Sequence, residues 1–400
     1  MAQGTEAGAR QDGRGRARLT ALLTCAMAFS MLQLFLLGAL GPRLVEDLGV
    51  SPTVLGLTTT LGFGTAAFLS PVAGRIVDRT GPRRSLVLLL VVSAVALTLI
   101  GAAPGAGLLL GAVVLGGIPQ ALANPATNKA VLATVVPERR GAVTGMKQSG
   151  VQLGAFAAGL PLAGLAAGLG WRAAVWTAAG AALLAAAWAY RYLPADDVDV
   201  PPASPAGRLR APEGMTAWLC GYSLFLGAGI ASVNTYLALY GSGPLGLGPA
   251  VAAALVAVLG VTGIVGRLGW SRAAGPGRAE RLPALLACGA VGAALLIGSA
   301  RWAAPLVWAG AVAVGVFAVS ANAVSMVLVM QRAKQGRAGQ DSALVAAGFF
   351  AGFAIGPAAF APFAETGHYG WGWLLVAVEF TAAATVGYLW CRRDRRVPAP

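Results

Sequence analysis

Apolar stretches of nearly constant length alternate with short polar segments along the whole 400-residue chain. A helix rising 1.5 Å per residue needs roughly 20 mostly apolar residues to cross a hydrocarbon core of about 30 Å. Twelve windows meet that length and predict spans at 19–40, 51–73, 85–103, 106–128, 142–168, 172–192, 216–240, 246–268, 282–300, 303–330, 341–364 and 371–391. The first follows a basic N-terminus as a signal peptide would, yet it is longer than a signal peptide's apolar core and no small-residue cleavage site follows it, so it is read as a retained span. The pattern predicts an all-α membrane protein.

The longest polar stretch between spans, about Pro194 to Glu213, separates spans six and seven. It divides the chain into a tail (1–18), a six-helix bundle (19–193), a linker (194–215), a second bundle (216–391) and a C-terminal tail (392–400). The linker is too short for a catalytic domain. An offset of 194 residues places Gly81-Pro82 on Gly275-Pro276, Arg84 on Arg278, Asn128 on Asn322, Gly145 on Gly339 and Gly154 on Gly348. One offset serving four separate regions argues for a duplicated six-span unit.

Composition agrees, with 57% hydrophobic and 11% charged residues, against about a quarter charged in soluble domains. Charge adds an orientation. With the N-terminus inside, 26 of the 29 lysines and arginines fall in the seven inner segments, and only Arg43, Arg172 and Arg301 fall outside. This positive-inside bias places both termini in the cytoplasm of a cell (inner) membrane and makes the net charge of +14 a matter of topology. Nucleic acid is excluded as a partner because the charges sit in short loops with no basic helix or stacking platform. Anionic lipid headgroups are generic partners of those loops. Cys25, Cys220, Cys288 and Cys391 have no paired spacing, and His368 is the sole histidine. A histidine metal site, a Ser-His-Asp triad and a cofactor are therefore not expected, and no Walker sequence is present.

Between spans two and three the chain reads Gly74-Arg75-Ile76-Val77-Asp78-Arg79-Thr80-Gly81-Pro82-Arg83-Arg84. An acidic residue among arginines, with glycines for a tight turn, suits a loop that docks on neighbouring helix ends. This stretch resembles the G-x-x-x-D-R-x-G-R-R signature of the major facilitator superfamily, with Pro82 replacing one arginine. The resemblance covers essentially the whole chain and implies the twelve-helix fold of two pseudo-symmetric bundles. It further implies a conformational lock in which Asp78 engages the start of span eleven, with Gly74, Arg79, Gly81, Arg83 and Arg84 shaping the loop. The second half carries Arg272 where the offset would put the acid, so the lock is expected on one side only.

Within the spans, Gln120, Asn124 and Asn128 recur at four-residue spacing and share one face of span four. Polar groups are costly in lipid, so the stripe faces either a cavity or another helix. The resemblance implies that spans one, four, seven and ten line the cavity, adding Ser30, Gln33, Asn234, Tyr236, Asn322 and Ser325 as candidates. Span five carries Lys147, Gln148 and Gln152. Counted from Gly141, Gln152 lies roughly 16 Å deep and Lys147 roughly 9 Å deep. Lys147 either snorkels to the interface or, if it faces the cavity, contacts an anionic solute. Gly150, Gly154, Gly159 and Gly164 around Pro161 partly match an antiporter motif of the superfamily, although Leu160 breaks the Gly-Pro pair; close helix packing is the other role open to them.

Proton-coupled members often carry an arginine in span four before Gln-Gly, and the stretch from Val113 to Gln120 has none. Asp341 and Glu379 remain as coupling candidates, beside Glu365 near a span end. The expected function is secondary transport of a small organic solute by a monomer, with protons as the candidate coupling ion. A gradient-independent facilitator is the alternative, and a transporter-derived sensor is the reading from another class. An enzyme is not expected.

Overall fold

The computed structural model describes residues 2–193, 195–196, 213–273, 280–332 and 338–394. The Gly275-Pro276 turn, Arg278 and most of the linker lie outside the described residues, as do the side chains of Asp78 and Arg272. Twelve helices have span length and apolar character: Ala17–Ala39, Pro52–Ser70, Pro82–Ala102, Ala106–Thr134, Val143–Leu169, Trp171–Tyr192, Gly214–Ser242, Pro249–Trp270, Leu282–Ser299, Leu306–Val329, Leu344–Glu365 and Tyr369–Arg393. No strand occurs among the described residues. The chain is a multi-pass membrane protein.

Helix starts follow local chemistry. Ser51 caps span two by accepting from the amide of Val54, and Pro52 occupies the first turn, where its missing N–H is not needed. The helix containing span two is longer than the sequence pattern suggests and runs to Thr80, so Gly74 and Arg79 lie on helix rather than in a loop. The reversal is concentrated at Gly81, whose φ of +82° is a left-handed value that an L side chain tolerates poorly. Inside spans five and ten the helix widens to single π turns at Ala158–Leu162 and Val314–Val319. Pro161 explains the first, because it cannot donate to the preceding turn.

The packing repeats with a six-span shift. Span one packs on five and seven on eleven; two packs on four and eight on ten; three packs on six and nine on twelve. The halves meet along spans two and eleven and along their counterparts five and eight. Two pseudo-symmetric six-helix bundles therefore enclose a central seam. Spans one and seven flank it, and residues 30–39 of span one and 226–241 of span seven are all buried.

An even span count returns both termini to one face, called here the near face. At the opposite, far face the two halves are bonded together. Glu365 at the end of span eleven accepts from the Thr53 amide (3.1 Å) and hydroxyl (2.9 Å) in the first turn of span two. The Tyr236 hydroxyl lies 3.1 Å from the carbonyls of both Pro52 and Pro357. Deeper, Thr59 bonds Thr235 at 2.8 Å, Thr60 donates to the Ala354 carbonyl at 2.7 Å, and Phe63 packs on Phe353 with ring centroids 4.5 Å apart. One turn further toward the near face, Phe68 is 82% exposed.

Candidate functional site

Polar side chains inside the apolar body gather where spans four and five meet. Lys147, with no exposed surface, donates from Nζ to Thr127 Oγ1 (2.7 Å) and Asn128 Oδ1 (2.6 Å). One helical position along, Gln148 Nε2 donates to Asn124 Oδ1 at 3.0 Å. Two rungs thus join the polar stripe of span four to the start of span five. Lys147 does not snorkel: its helical phase turns it onto span four, where two oxygens receive it. No carboxylate among the described residues bonds it.

A second cation reaches this region from the other half. Arg267 in span eight donates Nη1 to the Gln148 carbonyl at 3.1 Å, and its Nε is buried without a partner. Counted by sequence among the inner-loop charges, Lys147 and Arg267 instead belong to helices within the body. Arg267 does lie inside the apolar window 246–268, and a charge within a span was the signal that could have singled it out. Thr127 carries no such signal, because a threonine in an apolar helix usually bonds its own backbone, as Thr127 also does to Ala123.

The remaining candidates divide by environment. Gln33 and Gln120 are buried and line one small pocket with Thr58, Thr59 and Phe63; its cavity of about 10 Å³ holds roughly one water. The oxygens Gln120 Oε1, Gln152 Oε1, Asn234 Oδ1 and Asn322 Oδ1 are buried without partners. Buried polar atoms usually find a partner, so these four amide oxygens, one each on spans four, five, seven and ten, stand out as open acceptors. Ser30 and Ser325 donate to carbonyls of their own helices, Met27 and Ala321. Tyr236 belongs to the far-face junction. Asn128 is exposed while its neighbour Thr127 is fully buried, so the lysine rung borders the open side of span four.

The acidic candidates make no bond to the rungs. Asp341 is buried in the first turn of the helix Ala338–Glu365, and Glu379 is buried in span twelve with Oε2 unpartnered. Among the described residues, no group of histidine, cysteine and acidic side chains is arranged to hold a metal ion.

At the signature loop the structure brings in a residue that sequence reasoning did not single out. Asp196, just past span six, accepts from the amides of Arg83 (2.9 Å) and Arg84 (2.8 Å) and so caps span three. The Arg83 guanidinium stacks over Tyr190, 4.3 Å from the ring centroid. A methyl group on Gly81 would come within 2.3 Å of the Asp196 carboxylate, so this turn requires glycine for space as well as for its φ. From span four, Lys129 donates to the Val77 carbonyl at 3.1 Å, one residue before Asp78.

The whole architecture is similar to solved transporters. A bacterial homologue of the human lysosomal transporter Spinster, inward-facing and unoccupied, superposes with a TM-score of 0.76 at 15% identity, over 96% of this chain and 99% of that one. Its occupied, inward-facing form gives 0.75 at 16%, over 96% and 98%. The nucleoside transporter NupG gives 0.74 at 12%, over 93% and 99%. At such identities the likeness is one of fold. A search of curated proteins gives no match. The family description Major Facilitator Superfamily matches residues 23–357. That match spans both bundles and the turn at Gly81, and the chain therefore belongs to the Major Facilitator Superfamily.

Proposed function

We infer that this chain carries a small organic solute across a cell (inner) membrane by alternating access, as a monomer with both termini in the cytoplasm. Membership of the superfamily, together with its transporter neighbours, makes it a transporter rather than an enzyme. The observation that carries the finer reading is the pair of rungs from Lys147 and Gln148, met by Arg267 from the opposite half at a seam joined on its far face. A buried ammonium costs several kcal/mol in desolvation that two neutral hydrogen bonds do not fully offset. Glutamine in its place would make similar bonds more cheaply, so the position is read as serving solute binding. The orientation rests on the positive-inside bias. The inward-facing neighbours favour the near face as the open, cytoplasmic one.

Within this reading Asp78 locks the near face when it closes, and Gly74, Arg79, Gly81, Arg83 and Arg84 form the turn that presents it. The binding cavity is assigned to Gln33, Gln120, Asn124, Asn128, Lys147, Gln148, Gln152, Asn234 and Asn322. Reconstitution into proteoliposomes tests the function: solute-loaded vesicles should take up labelled solute against its gradient by counterflow, and Asp78→Asn should lower the rate at equal insertion. Full counterflow by Asp78→Asn would remove the lock from the mechanism.

A second reading, coupling to protons, is favoured by the buried and unpartnered Glu379 Oε2. An imposed pH gradient should then drive accumulation in the native protein and not in Glu379→Gln, whereas indifference to the gradient would leave a facilitator.

A further inference from the structure

The internal repeat relates two charges of opposite sign. The offset of 194 residues that places Asn128 on Asn322 also places Lys147 on Asp341. In the first half this position and its asparagine are bonded to each other, ammonium to amide oxygen, at 2.6 Å. In the second half both counterparts are acceptors. Asp341 is 7% exposed and makes no hydrogen bond or ion pair among the described residues, and Asn322 Oδ1 is buried without a partner. The packing that brings span five onto four is repeated by span eleven on ten. The helix that carries Asp341 packs along span seven, a central helix, with Gly348 against the backbone of Cys220.

The second half thus keeps the asparagine of the lysine rung, has Ala321 in place of Thr127, and carries a carboxylate where the donor stands. A buried, unpartnered amide oxygen is costly until an N–H group arrives, and a carboxylate without an ion pair among the described residues adds a negative charge to that half. A primary ammonium has that chemistry, as Lys147 shows in the first half. A solute with only a positive charge would be repelled by the two cations that border the junction of spans five and eight, Lys147 and Arg267, the latter with an unpartnered Nε. A carboxylate at the solute's other end removes that repulsion and supplies the acceptor that Arg267 lacks.

We propose that the transported solute is an amino-acid-like zwitterion, its ammonium received by Asp341 and Asn322 and its carboxylate turned toward Lys147 and Arg267. The proposal rests on the transport function inferred for this cavity and names its solute class. Binding would then join the halves by charge, because the carboxylate end reaches Lys147 of the first bundle while Asp341, Asn322 and Arg267 belong to the second.

The test uses the full-length protein in detergent and in proteoliposomes. The probes are the amino acids β-alanine, 4-aminobutyrate and 6-aminohexanoate, together with butyrate and butylamine, which each carry one of the two charges. At least one amino acid should raise the melting temperature and exchange in counterflow, while butyrate and butylamine at equal concentration do neither. Asp341→Asn and Lys147→Gln should each weaken that response by roughly tenfold or more, the scale of a lost charge-assisted hydrogen bond. The wild-type comparison requires no variant to fold, so it decides the charge class by itself. A response to butyrate or to butylamine equal to that of every amino acid overturns the proposal, as does the absence of any amino-acid response. Restored transport in the charge-swapped double variant Lys147→Asp, Asp341→Lys also overturns it, because the two residues would then be shown to pair with each other. Counterflow of some other solute alongside silence from the amino acids leaves the transport function standing and removes only the zwitterion.

Discussion

Asp196 does for span three what Ser51 does for span two: each supplies oxygen to first-turn amides that have no partner within their own helix. The serine can be read from sequence, since it directly precedes a proline and an apolar run. The aspartate cannot, because it lies more than a hundred residues from the amides it caps. Two substitutions separate the cap from the turn. Asp196→Asn should cost about 1 kcal/mol, a typical cap loss. Gly81→Ala should cost more, because it adds left-handed strain of roughly 1–2 kcal/mol to a collision with the Asp196 carboxylate. Thermal melting of the purified protein should therefore rank native above Asp196→Asn above Gly81→Ala. A Gly81→Ala protein as stable as the native one would mean that this turn is not held as described. Lys147 shows the same limit on sequence reading. Its depth followed from counting residues, but a lysine at that depth reaches either the interface or the interior, and only the neighbouring Thr127 and Asn128 decide which.

Among the elements, the twelve apolar windows match twelve helices, because a lipid environment leaves a backbone few ways to satisfy its own polar groups. The end of span two was read less well. Its helix continues seven residues beyond the predicted boundary of residue 73 to Thr80, since charged side chains end an apolar pattern without ending a helix. The glycines of span five had two roles open to them, and the structure distinguishes them one by one. A methyl group on Gly159 would stand 2.2 Å from the Ala257 amide nitrogen in span eight, across the seam, whereas one on Gly164 meets nothing within 4 Å. Gly159→Ala should accordingly destabilise by roughly 1–3 kcal/mol through overpacking against backbone that cannot yield. Gly164→Ala should be neutral or slightly stabilising. Melting curves of the two variants side by side check the contrast, and equal curves would show that spans five and eight approach less closely than described.

For the whole molecule, the bonds between halves at the far face predict an asymmetry of access. In a background with Cys25, Cys220, Cys288 and Cys391 replaced by serine, Asn128→Cys should react with a membrane-impermeant maleimide applied from the near face. Thr59→Cys, buried against Thr235, should resist the reagent from either side. Glu365→Gln weakens the charge-assisted contacts to Thr53 and should raise far-face labelling of Thr59→Cys several-fold, the change expected for roughly 1 kcal/mol between two states. Unchanged labelling would show that Glu365 does not hold the far face closed.

Hydrophobic periodicity and the offset of 194 residues determined the number of spans and the duplicated plan from sequence alone, and charge placement carries the orientation we propose. These features are local or repetitive, and the bilayer turns them into architecture through length and polarity. The partners of each polar side chain were decided only by the tertiary structure. Span four's stripe divides between a rung to Lys147, a rung to Gln148 and a pocket shared with Gln33. Arg267 belongs to span five's surroundings rather than to a loop. Asp196 belongs to the turn at Gly81. Such pairings depend on helix rotation and on which helices adjoin, and both are set by packing among spans far apart in the chain.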